Sequence, residues 1–342
     1  MREDEVWSPM SVGLSVLVFV VGAVVSLAIS WLLVSRLERV GERLGLSEAL
    51  LGMLAALAAD APEITASITA LSRHQAAIGA GVVLGSNVFN LAALLGLGAV
   101  VAGRITLHRK VVVLSGAVAM PIAAVCLFTV GGGLPAGAGL AVVICVLVPY
   151  LALLGAHQRI LVQLGLPRSW RAWLTAAIVE EESELEDAIR PRRGTAADTV
   201  VALVALVVVI VASVAMERGA SSLGAHFAVP DIVVGALVLA AVTSLPNAVS
   251  AIYLARRGRG AATLSTALNS NSLNVAVGLL IPAALIGLAE PSGSGLLVAG
   301  WYVGLTALTL ALAYSGRGLG RGSGWAVIAA YALFVSLLLA TS

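Results

Sequence analysis

The stretch AADAPEITASI at residues 58–68, followed by LGSNVFN at 84–90, has a weak copy 184 residues further on, in AVTSLPNAVSAI at 241–252 and LNSNSLN at 268–274. The anchors keep one ungapped offset: Pro62 with Pro246, Glu63 with Asn247, Ser86 with Ser270, Asn87 with Asn271 and Asn90 with Asn274. These matched residues are the rare polar ones in a chain rich in Ala, Val and Leu, so compositional bias does not produce the register. Internal duplication does.

The polar anchors sit inside apolar spans. With 60% hydrophobic and 11% charged residues and a mean hydropathy of +1.03, the chain lies far from the roughly one-quarter charged composition of soluble domains. Stretches of about 20 apolar residues, enough to cross a bilayer as helix, fall at about 11–35, 47–71, 76–101, 110–130, 137–155, 197–216, 230–255, 261–288, 295–314 and 324–341. The runs are continuously apolar rather than alternating, which argues for helices over a barrel. The expected fold is therefore an all-α polytopic membrane protein of ten transmembrane helices. The leader MREDEVW is acidic, and the span behind it is too long for a signal peptide, so it is expected to remain in the mature protein. Cys126 and Cys145 fall in apolar spans and read as two small buried thiols.

The cations give the orientation. Alternate loops hold Arg36, Arg39 and Arg43; Arg104, Arg109 and Lys110; Arg159, Arg168, Arg171, Arg190, Arg192 and Arg193; Arg256, Arg257 and Arg259; and Arg317 and Arg321. The other side keeps only Arg2, Arg73 and Arg218. The positive-inside rule then places both termini outside a cell membrane and the central loop in the cytoplasm. The turn after the first motif is outside and its counterpart after the second is inside, so the two five-helix repeats are inverted. The organisation expected is a first repeat at 1–155 with its motif at 52–97, a cytoplasmic linker at 156–196, and a second repeat at 197–342 with its motif at 235–280. The linker, with EEESELED at 180–187 and RPRR at 190–193, reads as a solvated connector carrying a short surface helix near Trp170 and Trp173. Asp231 reads as a helix start and Glu290-Pro291 as an outer turn. The four histidines lie in or beside loops without metal-ligand spacing.

Among the 18 acidic residues, Asp60 and Glu63 are the two that lie near the middle of an apolar span. A central carboxylate costs roughly 2.5 to 3.5 kcal/mol on insertion scales, so a pair persists where a partner or a wet cavity offsets it. No Lys or Arg lies in the core of any span, so the missing counter-charge is most simply a transported cation. The i, i+3 spacing puts both acids on one helix face. Pro62 between them frees a carbonyl near Ala58, which would add to an oxygen-rich, hard-cation site. Asn247, Thr243 and Ser244 surround the second proline, and Ser86 and Asn87 face Asn271 in the partner spans. All of these ligands are oxygens, which favours Ca²⁺, Na⁺ or a similar ion over zinc or copper. Two like charges in apolar surroundings do not ionise together easily, so a proton is a candidate counter-ion.

At these residues the chain resembles the cation/Ca²⁺ antiporter superfamily, the sodium/calcium exchanger-like proteins. That family carries two inverted α-repeats, each with a GTSLPE-like motif and then a GN…GSN-like motif, in a ten-helix fold. The specific matches are GSNVFN at 85–90 and TSLPN at 243–247. The resemblance implies an alternating-access antiporter in which Glu63, Asn87, Asn271 and the Thr243/Ser244 pair help to coordinate ions. The chain departs from the pattern at Asn247, where the family usually has a carboxylate, and at Ala59 and Asp60, where it usually has Thr and Ser. Asn269 replaces a usual Gly, and Ala80-Gly81 replaces Gly-Asn. The expected activity is secondary active exchange of Ca²⁺ for Na⁺ or H⁺, with a monovalent-cation or Mg²⁺/H⁺ antiporter of the same fold as the alternative. The metal-site candidates are thus Glu63, Asp60, Asn87, Ser86, Thr243, Ser244, Asn247 and Asn271. An intramembrane hydrolase would need a second catalytic carboxylate on another span or an HExxH motif, and no nucleotide-binding GxxxxGK[ST] loop is visible, so neither an enzyme nor an ATP-driven pump is expected. No cofactor, no nucleic acid and no obligate protein partner is expected; the partners are the lipid bilayer and inorganic cations.

Overall fold

The computed structural model describes residues 10–46, 48–163, 167–186, 194–288 and 290–342. Eight helices are long and apolar enough to cross a membrane, and two bent pairs bring the number to ten among the described residues. In chain order they are α1 (Val12–Leu44), the bent pair α2 (Glu48–Ala59) and α3 (Ala61–Ser72), α4 (Ala76–Ala102), α5 (Arg109–Val130) and α6 (Ala136–Gln163). A helix in the linker, α7 (Arg168–Glu186), follows. The second half holds α8 (Ala196–His226), the bent pair α9 (Asp231–Thr243) and α10 (Leu245–Arg256), α11 (Gly260–Ile286), α12 (Gly293–Ser315) and α13 (Arg321–Thr341).

The duplication extends to the element boundaries. The starts of α1 and α8, α3 and α10, α4 and α11, and α5 and α12 are each 184 residues apart. Both bent pairs break at equivalent residues, by 51° at Asp60 and 49° at Ser244. The cause is Pro62 and Pro246, each in the first turn of the helix that follows. Proline lacks an N–H and its ring crowds the carbonyl four residues back, so the preceding helix cannot run on straight. π-helical segments at Leu91–Leu97 and Asn274–Leu280 follow the polar motifs in α4 and α11, at nearly the same offset. Such segments recur at functional sites.

Helices α4 and α11 form the centre. In α4, 94% of the most apolar window is buried, against 22% in α1 and in α13, whose outer faces are left for lipid. Small residues set the central crossing. Gly85 of α4 lies against the backbone of Ala236 in α9, and any side chain there would collide with it, the close approach that small residues permit between membrane helices. Helices α1 and α8 pack along one another on one flank.

Two expectations need correction, and one short element joins the helical plan: β1 (Arg104–Thr106) pairs antiparallel with β2 (Gly318–Gly320), burying Ile105 against Leu319. Gly318 adopts φ 122°, which suits glycine, and its Cα faces the Ile105 carbonyl too closely for a Cβ. The linker is more than a solvated connector, because α7 docks against α2, α5, α6 and α11 and buries Ala177 and Ile178, while Trp170 alone of its two tryptophans is exposed. The RPRR run at 190–193 lies outside the described residues. Finally, Cys126 is buried but Cys145 is exposed on α6. Asp231 does open α9, as its position after Pro230 suggested.

Candidate functional site

The two bends bring the polar motifs of both halves together. Asp60, Glu63, Ser86, Asn87, Asn90, Thr243, Ser244, Asn247, Ser270, Asn271 and Asn274 are all buried. The bend at Asp60 turns its carboxylate toward the second half of the chain. Asn247 donates to Asp60 Oδ1 at 2.6 Å and Ser270 donates to the same oxygen at 2.8 Å. Glu63 is held in the mirrored manner: the Ser244 hydroxyl donates to Oε1, the Asn274 amide donates to Oε2, and the Ser86 hydroxyl lies beside the carboxylate.

The correspondence is one of positions as well as of shapes. Asp60 and Ser244 are equivalent, as are Glu63 and Asn247. Each carboxylate therefore bonds the neutral residue that stands, in the other half, where its neighbouring acid stands in its own. Both charges come from the first half, yet they occupy the two opposed positions of the pair. Between them, Asn87 Nδ2 donates to the Asn271 carbonyl at 3.2 Å and Asn271 Nδ2 donates to the Asn87 carbonyl at 3.0 Å. Asn90 donates to Asn271 Oδ1 at 3.0 Å. This reciprocal clasp joins α4 to α11 at the floor of the site.

No basic side chain among the described residues pairs with Asp60 or Glu63. Four buried oxygens in the cluster, Asp60 Oδ2, Ser86 Oγ, Asn90 Oδ1 and Asn274 Oδ1, have no hydrogen-bond partner among the described residues. Unpaired buried acceptors cost about 1–3 kcal/mol each, and oxygens of this kind around two carboxylates are the donor type that hard cations take. No group of three or more His, Cys, Asp or Glu side chains gathers as a metal cluster among the described residues. The cluster offers two carboxylates with amide and hydroxyl oxygens.

Some sequence readings shift. The carbonyl freed by Pro62 is occupied: Ser30 of α1 donates to the Ala58 oxygen at 3.2 Å. Ser30 is one of several serines in the first apolar span, and its bond accounts for a polar residue the motifs did not reach. Thr243 is buried but donates to Leu239 and Ala240 of its own helix at 2.9 and 3.3 Å, outside the carboxylate network. Asn269 points away to accept from Tyr150 at 3.3 Å. Ser270, Asn274 and Asn90, visible as motif anchors, hold the carboxylates and the clasp directly. Glu217 and Asp198 are further buried carboxylates, and Glu217 lies beyond the end expected for its span because α8 runs on to His226.

A cavity reaches the cluster beside Asn247. It holds about 520 Å³ between α1, α2, α10 and α11, running from Ala59, Pro246 and Asn247 to Glu38 and Tyr253. Along its wall Ser250 is exposed, whereas the equivalent Ala66 in α3 is fully buried. Helix α8 packs along α3 on that closed flank.

The family model described as sodium/calcium exchanger protein matches residues 14–156 and 198–340, most of both halves. Sodium/potassium/calcium exchanger 3 of Rattus norvegicus is 36% identical over 72 residues, 21% of this chain and 12% of the relative; the Homo sapiens protein of that name matches at 36% over 72 residues and 11% of its length. These relatives are thus far longer than the stretch they share with the chain. Among solved structures, the H⁺/Ca²⁺ exchanger CAX superposes with a TM-score of 0.69 at 13% identity over 96% of this chain and 86% of that one. YfkE superposes with 0.60 at 19% identity over 96% of each chain. The sodium-calcium exchanger NCX_Mj, soaked without Na⁺ and Ca²⁺, gives 0.57 at 19% identity over 96% of this chain and 100% of that one. At these identities the likeness is one of fold.

Proposed function

The chain belongs to the sodium/calcium exchanger protein family, and from that premise we propose that it is a secondary active antiporter moving Ca²⁺ in exchange for Na⁺ or H⁺. The observation that carries this reading is the pair of buried carboxylates, Asp60 and Glu63, with no basic partner among the described residues and with unpartnered amide and carboxylate oxygens around them. Two negative charges match one divalent ion, and two protons or two or more Na⁺ satisfy the same charge requirement in the return step. The ion would take Asp60, Glu63 and the amide oxygens of Asn90, Asn274 and Asn247, with Ser86, Ser244, Asn87 and Asn271 supporting. The amides that now donate to the carboxylates would turn their oxygens inward.

The transport cycle is alternating access. The five-helix repeats, 1–155 and 197–342, sit inverted in a cell membrane around an in-plane two-fold axis, with both termini outside and the 156–196 segment in the cytoplasm. The 184-residue spacing of element starts and the distribution of basic residues support this arrangement. On that orientation the cavity beside Asn247 opens inward and the first half closes the outer side. The protein is a carrier and performs no covalent chemistry.

Uptake of radioactive Ca²⁺ into proteoliposomes under an outward Na⁺ gradient, compared with an outward H⁺ gradient, tests the proposal. Stimulation by one gradient identifies the coupling ion. Ca²⁺ flux that ignores both gradients would point to a channel. Absence of Ca²⁺ flux alongside gradient-driven monovalent or Mg²⁺ flux would place the chain among other cation antiporters.

A further inference from the structure

We infer that the Arg73–Glu217 ion pair is the lock of the outer gate, and that its lack of a counterpart in the second half biases the carrier toward the inward-open conformation. This rests on the alternating-access reading above. Helices α1 and α8 form one unit. Ser15 and Ser222 hydroxyls meet at 2.8 Å, Ser26 and Ser213 at 2.7 Å, and Arg36 bonds Asp198 at 2.7 Å. Gly22 lies against the α8 backbone at Ala212 and Met216, too close to admit a Cβ. The unit is built to stay together, so a change of access requires its other contacts to change.

Two of those other contacts are polar ties to the turn between α3 and α4. Arg73 Nη1 donates to Glu217 Oε2 at 3.2 Å, and Gln75 Nε2 donates to Ser221 at 2.6 Å. The Glu217 side chain is 0% exposed, so no solvent can replace Arg73 where it sits. Breaking a buried pair leaves an uncompensated charge, which is what makes such a pair effective as a catch. The turn itself carries strain: His74 holds φ 58°, the left-handed conformation that Gly258 occupies at φ 75° in the equivalent turn of the second half.

The equivalent turn cannot lock in this way. The positions matching Arg73 and Gln75 are Arg257 and Arg259, and those matching Glu217 and Ser221 on α1 are Leu33 and Leu37. Arg257 stacks instead on Tyr253 of its own helix. The half with the tie is shut, with Ala66 and Ala70 fully buried; the half without it is more open, with the equivalent Ser250 exposed and Leu254 half-buried. A tie made in one access state and not in the other shifts the equilibrium by its own strength.

The test uses the full chain in proteoliposomes, with Cys126 and Cys145 replaced by Ser and a membrane-impermeant thiol reagent added from either side. Reporters are Ala66→Cys for the outer path and Ser250→Cys for the inner. In the parent, Ser250→Cys labels from inside and Ala66→Cys is protected. Glu217→Gln should raise outside labelling of Ala66→Cys about tenfold or more and lower inside labelling of Ser250→Cys. The apparent affinity for external Ca²⁺ should improve in step, because the competent fraction rises. Arg73→Gln, at a half-exposed position, should do the same and serves if Glu217→Gln does not accumulate; Arg73→Lys should keep the parent pattern. Unchanged labelling in both neutral variants, while Ca²⁺ or counter-ion gradients still shift the parent, would overturn the lock alone. If no gradient and no variant ever exposes Ala66→Cys, alternating access fails and the lock fails with it.

Discussion

Replacing Asp60 by Asn removes one of the two charges that the proposed site offers to an ion and leaves the side chain's size unchanged. The cost follows from Coulomb's law. At an effective dielectric of about 20, a unit charge pair at 4 Å is worth about 4 kcal/mol, so a divalent ion loses about 8 kcal/mol of attraction. Recovered hydration of the ion offsets most of that. If a quarter survives, about 2 kcal/mol, the apparent affinity for Ca²⁺ falls roughly 30-fold. The assay is the Ca²⁺ concentration dependence of uptake in proteoliposomes. The geometry also specifies a rescue. Asn247 donates to Asp60 just as Ser244 donates to Glu63, so Asp60→Ser with Asn247→Glu recreates, on the opposite side, the Ser–Glu pair that already exists. The double variant should recover most of the lost affinity. An Asp60→Ser single variant with wild-type uptake would refute the reasoning and leave Glu63 as the sole charge serving the ion.

Glu63→Gln should nearly abolish exchange while the protein still inserts, since the change relieves a buried charge; retained exchange would make Glu63 structural. Protons and Ca²⁺ compete for the same two carboxylates, so acidification should weaken apparent Ca²⁺ affinity, and the slope against pH should be shallower in Asp60→Asn; equal slopes would remove Asp60 from the site. Ser30→Ala strands the Ala58 carbonyl freed by Pro62 and should cost about 1–3 kcal/mol of stability, read as a lowered midpoint of thermal unfolding in detergent; an unchanged midpoint would show the bond to be dispensable. Single cysteines at 185 and 133, in the background lacking Cys126 and Cys145, should label from the cytoplasm and from outside respectively, and labelling of both from one side would refute the inverted topology.

The sequence made the helical plan legible because membrane helices declare themselves by length and hydropathy, and because the repeat supplied a second reading of every boundary. It singled out the buried polar cluster for a related reason: polar residues that recur at a fixed spacing inside apolar spans are too costly to bury unless they bind one another or an ion. What it left hidden depended on three-dimensional partners. Pro62 signals a freed carbonyl, but only the neighbouring helix shows that Ser30 takes it. Thr243 carries the same hydroxyl as its site neighbours, yet the local backbone offers it a closer acceptor. The β1–β2 pair was too short to produce a period, and its register rests on Gly318 in a conformation that no pattern announces. Glu217 fell outside the expected sixth span by one residue, and its burial comes from the turn of the other half that closes over it.

Asp60 shows how this half-site works. In a duplicated scaffold the two halves face each other, so a residue on one repeat reaches the space of its counterpart's neighbour. Asp60 and Asn247 are 187 residues apart in sequence and 2.6 Å apart in space. A charge can therefore pass from position 247 to position 60 without leaving the place where the ion needs it, provided the position it vacates keeps a hydrogen-bonding side chain to orient the acid. Asn247 does that, and Ser270 adds a second donor to the same oxygen. The other carboxylate oxygen, Oδ2, has no partner among the described residues. One oxygen is fixed and the other is unpartnered; on the proposed function that division would orient the carboxylate before an ion binds and spare the entropy of doing so afterwards. Asn247→Ala should then weaken Ca²⁺ affinity even though residue 247 carries no charge, because Asp60 would be free to turn; Asn247→Gln, which keeps a donor on a longer arm, should be milder. Equal affinities for Asn247→Ala and wild type, in the concentration dependence of Ca²⁺ uptake, would mean that Ser270 alone holds the acid in place.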